Sequence, residues 1–527
     1  MNIQPPFSAR GVPESFFTKF GSHMSGVLSG FDRLRFRATL RMLFVPAIME
    51  SYLSVCHVLL KDFKTYALGV TTRIKAAAYA SAKAAGRPDI YLPSPEISKE
   101  EKARQIAQAD QGKEGLIALF SATEPCLSYS VRGDKSTRRL RLVLELRKCT
   151  HFYHYFMHPD FGQVSVRVQS WFPFAVDVCL NGREWLARQM DRAGVGYEKR
   201  DNCFAWVSDP PRAQELLEEQ LRTDWTGVLQ PLLEKAHPLH AELGRPLGQS
   251  YYWSASQTEF ATDVMFKDAT ALSRVYPALV HHGIRTFGGE DVLRFFGRTR
   301  PELCVGEVKT TRQRRVEGVR LKHEVKGNSI KMYDKQGSVL RVETTIVRPE
   351  EFKVYRASQA GVEEKKDWKP MRRSVADLAR RAEVSSAANA RYLTALASTA
   401  QTIPLKNEAS EVCRRRRVEG RSYRALNPWA PEDARLLEVV NRAEFTINGF
   451  RNRDLRPALF GKLDSDAEER QRAAKVSRQL GLLKAHGLIA KVGRTHRWKM
   501  TEKGRRTVTA LLTAREADVE QLTKLAA

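Results

Sequence analysis

Apolar and polar, mostly charged, residues alternate along Phe31 to Arg41, in the order Phe-Asp-Arg-Leu-Arg-Phe-Arg-Ala-Thr-Leu-Arg. That period of two predicts a strand with a basic outer face. Residues 1–30, rich in Gly, Ser and Pro, predict an irregular lead-in. Ile48 to Lys83 contains many Ala and Leu and few breakers, and predicts one helix ended by Gly86-Arg87-Pro88. Ile90-Tyr91-Leu92 predicts a short strand, and Ser98 three residues ahead of Glu101 marks the start of another helix. Strand patterns follow at Leu140–Leu146, Thr150–Met157, Val164–Trp171 and Phe174–Leu180, with a turn at His158–Gly162. Asn181 is placed to cap the next helix, Cys203–Val207 predicts a strand, and Asp209-Pro210-Pro211 opens a further helix. Residues 212–300 read as mainly helical, and 303–357 as strands again, with Gly327-Asn328 and Lys335-Gln336-Gly337-Ser338 as turns. Residues 358–370 read as a polar linker and 375–400 as helix-rich. An antiparallel sheet with helices attached is an α+β layout.

The last hundred residues change period. Pro431 to Glu444 reads as a helix, Thr446-Ile447-Asn448-Gly449 as a turn, and Arg451–Phe460 as a second short helix. A third helix runs from about Ala467 to Ala485 and stops at His486-Gly487, with Val476, Leu480 and Leu483 on one face. Leu488–Val492 and Arg497–Met500 read as strands around a tip at Arg494-Thr495-His496, and Thr501–Arg506 opens a final helix. The phrase LLKAHGLIAKVGRTHRWKMTEKGRR resembles the winged-helix DNA-binding domains of bacterial regulators and replication proteins. The resemblance implies a duplex partner, with the third helix in the major groove. Arg470, Arg472, Lys475, Arg478 and Lys484 on that helix, and Arg494, His496 and Arg497 on the wing, would contact phosphates and base edges. With Arg414-Arg415-Arg416-Arg417 in the connection ahead of it, these are the candidate nucleic-acid-binding residues.

Five stretches follow from these patterns: a basic α/β segment (1–135), an α+β domain (136–300), a hairpin-rich segment with a helix (301–400), a basic linker (401–428) and the winged helix (429–527). The chain has 527 residues, which suits several domains. Its net charge of +27 repels itself unless an anionic partner neutralises it. Duplex DNA or structured RNA is the natural partner, with an anionic membrane surface as the main competitor; no membrane partner is expected, since no segment is apolar for long enough to span one. Seven cysteines are scattered without a Cys-x-x-Cys pair, which argues against a disulfide framework or zinc ribbon and for a reducing cytoplasm. Buried free thiols are the expectation for all seven.

One stretch carries candidate chemistry. Residues 327–346, GNSIKMYDKQGSVLRVETTI, resemble a hairpin of the replication initiators of rolling-circle plasmids. The resemblance implies a metal-dependent DNA nickase of a mobile element. Tyr333 matches the motif tyrosine, Asp334 and Glu343 would hold Mg2+, and Lys331 or Lys335 would steady phosphate charge. Alternation sends Tyr333 and Asp334 to opposite faces of one strand. With a Gln336-Gly337 turn, Tyr333 would lie opposite Leu340 and Asp334 would reach Arg341 diagonally. The competing reading is a basic hairpin with ordinary cross-strand contacts.

Three other groups have weaker patterns. His151, His154 and His158 lie among aromatic residues; a strand core is expected ahead of base stacking, and metal binding comes third. Arg183 at a helix start could meet a phosphate, but capping by Asn181 is the simpler expectation. Glu259 and Asp263 lie four apart on an expected helix. No nucleotide-binding loop, serine elbow or His-Glu-x-x-His pattern occurs. Two readings stand: a DNA-processing, replication-initiator-like protein that nicks with Mg2+, or a non-catalytic regulator or scaffold of a structured RNA.

Overall fold

The computed structural model describes residues 11–93, 96–136, 138–298, 307–315, 318–357, 366–398, 405–418, 420–461, 466–493 and 495–518. The fold is α+β: helices with one large mixed sheet and several small antiparallel ones. The chain forms two units. One comprises residues 28–261 and 344–385; the other comprises 1–27, 262–343 and 386–527. Among the described residues, no helix is long and apolar enough to cross a membrane.

In the first unit the strands are β1 (Met24–Thr39, from Leu28 onward), β2 (Asp89–Tyr91), β3 (Gly115–Asp134), β4 (Arg139–His158), β5 (Gly162–Gln169), β6 (Val176–Asn181), β7 (Tyr197–Arg200), β8 (Cys203–Val207) and β9 (Tyr252–Phe266, to Ala261). Their order is β9-β1-β6-β5-β4-β3-β2, with β7 and β8 paired separately. β1 pairs antiparallel with β6 so that Leu34 meets Leu180 and Phe36 meets Val178, all buried. The same alternation turns Arg37 to the other face, where it meets Asp177 at 2.7 Å. Arg167 joins Asp177 to Glu124 at 3.0 and 3.1 Å. The basic face expected of Phe31–Arg41 is therefore part of a mixed-charge ladder.

Four expectations fail in the first half of the chain. Residues 24–30 are not a lead-in but the first part of β1, preceded by a helix at Glu14–Phe20. The single helix expected over 48–83 is two, Pro46–Val55 and Phe63–Ala84, broken where His57 adopts φ +55°. The strands expected at 140–146 and 150–157 are one strand, β4, paired along its whole length with β3. Glu259 and Asp263 lie on β9, not a helix, so four residues separate them by about 13 Å.

Local signals fared better. Ser98 accepts from the Glu101 amide at 3.2 Å, and Asn181 from the Arg183 and Glu184 amides at 2.9 and 3.1 Å. Arg183 is fully buried near Asp32 and donates to the Ala261 carbonyl at 3.0 Å, so it is not a surface phosphate ligand.

The second unit holds β10 (Val308–Arg315), β11 (Gly318–Val325), β12 (Asn328–Lys335) and β13 (Val339–Ile346, to Glu343), in that order. β10, β11 and β12 are antiparallel neighbours, with Leu321 across from Met332 and His323 from Ile330. Phe287, Phe295 and Tyr392 pack edge to face at 5.1–5.2 Å beside His323, whose Nε2 meets the Tyr392 hydroxyl at 3.2 Å. In the first unit, the polar linker expected over 358–370 contributes residues 366–370 as β15 (Lys366–Pro370), paired with β14 (Lys353–Ala357); residues 358–365 lie outside the described set.

The C-terminal segment holds helices and strands in the order that its sequence periodicity predicts. Helices Pro431–Val440, Asn452–Phe460 and Asp466–Ala485 precede a hairpin of two strands, Ile489–Lys491 and Trp498–Met500, and a closing helix Glu502–Glu516. Phe450 bridges to Trp498, adding a third short strand contact. Leu437, Leu455, Val476, Leu480, Leu483, Ile489 and Val508 share one core. The turn expected at Thr446–Gly449 is instead the end of an extra helix, Ala443–Asn448, which Gly449 stops at φ +64°. Gly504 packs so closely that a Cβ there would lie 1.9 Å from the Leu488 carbonyl oxygen. Thr501 Oγ1 accepts from the Gly504 amide at 2.8 Å. Thr501→Ala is expected to cost about 1 kcal/mol in a urea melt, the usual value of such a cap.

Candidate functional site

The 327–346 hairpin forms, with its turn inside the expected Lys335–Ser338 but one residue longer than Gln336-Gly337 alone. β12 ends at Lys335 and β13 starts at Val339, so three residues turn, with Gln336 at φ +57° and Gly337 at φ +81°. One extra residue exchanges the faces of a strand. The expected Tyr333–Leu340 and Asp334–Arg341 pairings therefore give way to a different cluster. Lys331 Nζ lies 2.6 Å from Glu343 Oε1, and the Tyr333 hydroxyl donates to Glu343 Oε2 at 2.7 Å. Arg341 grips Asp263 with Nε to Oδ1 at 2.5 Å and Nη2 to Oδ2 at 2.8 Å, and both side chains are 1% exposed.

Burial by itself would push the Glu343 carboxyl up, but Lys331 and Arg341 outweigh it and hold it well below the usual carboxylate range. A carboxylate so weakly basic is a poor acceptor for a tyrosine proton. Its low folded value also means that Glu343 adds stability above an unfolded pKa of about 4.3. That contribution is lost as pH falls through the lower folded value. Glu343→Gln is expected to flatten the acid limb of the stability curve below about pH 4.5, read by urea melts across pH.

Asp334 does not join this cluster. It points to the other face, near Tyr276, and burial pushes its carboxyl up. Among the described residues, no group of three potential metal ligands contains Asp334. The expected Asp334–Glu343 metal pair is thus not assembled by the hairpin, and the reason is strand alternation.

The basic residues of the C-terminal segment divide into two sets. Arg472 lies 3.3 Å from Glu468 and over the Phe460 ring, and Lys475 pairs with Glu432 and lies over the same ring. These two cover the apolar side of Phe460. Arg470, Arg478 and Lys484 are exposed and make no ion pair among the described residues. Arg470 and Arg478, eight residues apart, share one outward face of the helix. On the wing His496 is exposed, Arg497 reaches back to the Gly449 carbonyl at 3.4 Å, and Arg494 lies outside the described residues. In the preceding connection Arg414, Arg415 and Arg417 are exposed, while Arg416 lies 3.6 Å from Glu411. The connection is not wholly irregular, since Arg416–Val418 and Arg421–Tyr423 form a small hairpin.

A further basic surface escaped the sequence reading. Arg132, Arg138, Arg139 and Arg141 are exposed near the tip of the β3–β4 hairpin, where Arg132 pairs with Glu145 at 2.6 Å. It escaped because β3 itself was not recognised. The histidine stretch is core at two of its three positions: His151 and His154 are buried, and burial pushes the His154 imidazole down to about 4. His158 caps the following turn, its Nδ1 accepting from the Asp160 amide at 3.0 Å. Comparison with family models, curated proteins and solved structures gives no match to this chain.

Proposed function

We propose that this chain is a nucleic-acid-binding protein that docks on duplex DNA through its C-terminal segment. The observation that carries the reading is helix Asp466–Ala485, on which Arg470, Arg478 and Lys484 are exposed and make no ion pair among the described residues, in a chain of net charge +27. A helix at the front of a three-helix core, followed by a basic hairpin, suits major-groove entry with the wing on the backbone. The hairpins of the body supply further cations for a strand or junction, as a DNA-processing protein of a mobile element in the cytoplasm would need.

A non-catalytic role is favoured over Mg2+-dependent nicking. Glu343 has Lys331 and Tyr333 on its two oxygens, and Asp334 faces away. Tyr333 then contributes a cross-strand hydrogen bond rather than a nucleophile. The reading is tested by purifying the full chain from a native-like host and sequencing the nucleic acid that accompanies it. Duplex DNA supports it; a single discrete RNA would replace it with a ribonucleoprotein scaffold. Cleavage of supercoiled DNA with Mg2+, lost in Tyr333→Phe, would restore the nickase.

A further inference from the structure

Cys126, Cys149 and His151 occupy one face of the β3–β4 hairpin. The register sets Glu124 across from Cys149, Cys126 across from Arg147 and Ala122 across from His151. Positions two apart on a strand share a face, so both sulfurs and the imidazole project to the same side. The sulfurs are 2.8 Å apart, and a ring nitrogen of His151 lies within 4.8 Å of both.

The histidine keeps one ring nitrogen available for ligation. Its Nδ1 lies 3.2 Å from the Cys149 carbonyl oxygen, which can only accept, so Nδ1 carries the proton. Nε2 then holds a lone pair. That atom is buried, in a side chain only 1% exposed, and has no hydrogen-bond partner among the described residues. A buried nitrogen lone pair without a donor is unfavourable unless something binds it. The carbonyl contact is also the outer partner that ligating histidines ordinarily have.

We propose that Cys126, Cys149 and His151 bind one zinc ion, with a fourth position open to solvent. Two sulfurs and one imidazole form a soft to borderline donor set that suits Zn2+ rather than Mg2+ or Ca2+. Cys126 and Cys149 are each only half-buried, which leaves a way in for the ion and room for a water. The neighbouring Cys149 thiol, working against burial, pushes the Cys126 thiol down from its ordinary value. Binding releases to solvent the protons that the two thiols still carry. Zn–S bonds of about 2.3 Å in a tetrahedron separate two sulfurs by about 3.8 Å, so small side-chain rotations would seat the ion.

The test uses the full, untagged chain, reduced and exchanged into metal-free buffer. Elemental analysis after loading with zinc alone is expected to give one equivalent per chain. Cobalt in its place is expected to give a thiolate-to-cobalt charge-transfer band and tetrahedral visible bands. Both signals should vanish in Cys126→Ser/Cys149→Ser, and His151→Ala should weaken cobalt binding at least tenfold. Because the variants could unfold, wild-type thiols are also alkylated with and without zinc. Mass spectrometry should find Cys126 and Cys149 protected only with zinc, and Cys413 modified either way. Less than a tenth of an equivalent of zinc on the wild type, a cobalt spectrum unchanged in the double variant, or equal alkylation with and without zinc would overturn the proposal. So would recovery of the reduced-and-loaded chain with a Cys126–Cys149 disulfide.

Discussion

Replacing Arg341 with methionine is expected to destabilise the chain by about 3–5 kcal/mol. Arg341 and Asp263 are each 1% exposed and share two short hydrogen bonds. Removing one partner leaves a charge buried without its counterion, and that desolvation cost, rather than the lost attraction, sets the size of the effect. A thermal midpoint should fall by roughly 6–20 °C, at about 2–4 °C per kcal/mol for a unit of this size. Asp263→Leu should cost a similar amount. The double change Arg341→Met with Asp263→Leu removes both charges and should recover most of the loss. A double variant as unstable as the sum of its parents would mean that Arg341 stabilises through other contacts.

The triple substitution Arg470→Ala, Arg478→Ala and Lys484→Ala is expected to weaken duplex binding about a hundredfold at physiological salt. Each phosphate contact releases about 0.9 of a counterion, which is worth about 0.7 of a log unit in affinity at 0.15 M salt. Three contacts therefore account for about two log units, and the slope of log affinity against log salt should shrink by about 2.7. Arg472→Ala and Lys475→Ala should change binding far less, because those side chains pair with Glu468 and Glu432 and cover Phe460. Fluorescence anisotropy on a labelled duplex separates the two sets. Their equal sensitivity would place the contact surface elsewhere.

The C-terminal order of helices, hairpin and helix was legible because each signal is local. Val476, Leu480 and Leu483 keep a helical period, and Gly487, at φ +72°, stops the helix. The caps at Ser98 and Asn181 were equally local. The sheet was less legible. β3 begins with the unbroken apolar run Leu116–Phe120, which has no alternation, and its partner lies across a turn with no strong hairpin signature. β9, with buried residues on both faces from Phe260 onward, shows no period-two pattern either.

The candidate chemistry failed and succeeded for similar reasons of register. A turn of three residues instead of two moved Glu343 beneath Lys331 and Tyr333 and left Asp334 on the other face. The Cys126–Cys149–His151 cluster was invisible because 23 residues separate the two cysteines. Only the spacing Cys149-x-His151 was there to be seen, and a metal reading needed the β3–β4 pairing.

The most direct test of the central claim is the affinity of the full chain for a short duplex DNA across a salt series. Nanomolar to micromolar binding at low salt, with log affinity falling linearly and steeply against log salt, is the expected result for a chain of net charge +27 that docks through phosphate contacts. The steepness should drop in the Arg470, Arg478 and Lys484 variant. No binding at low salt, or binding that ignores salt and the triple substitution alike, would contradict it.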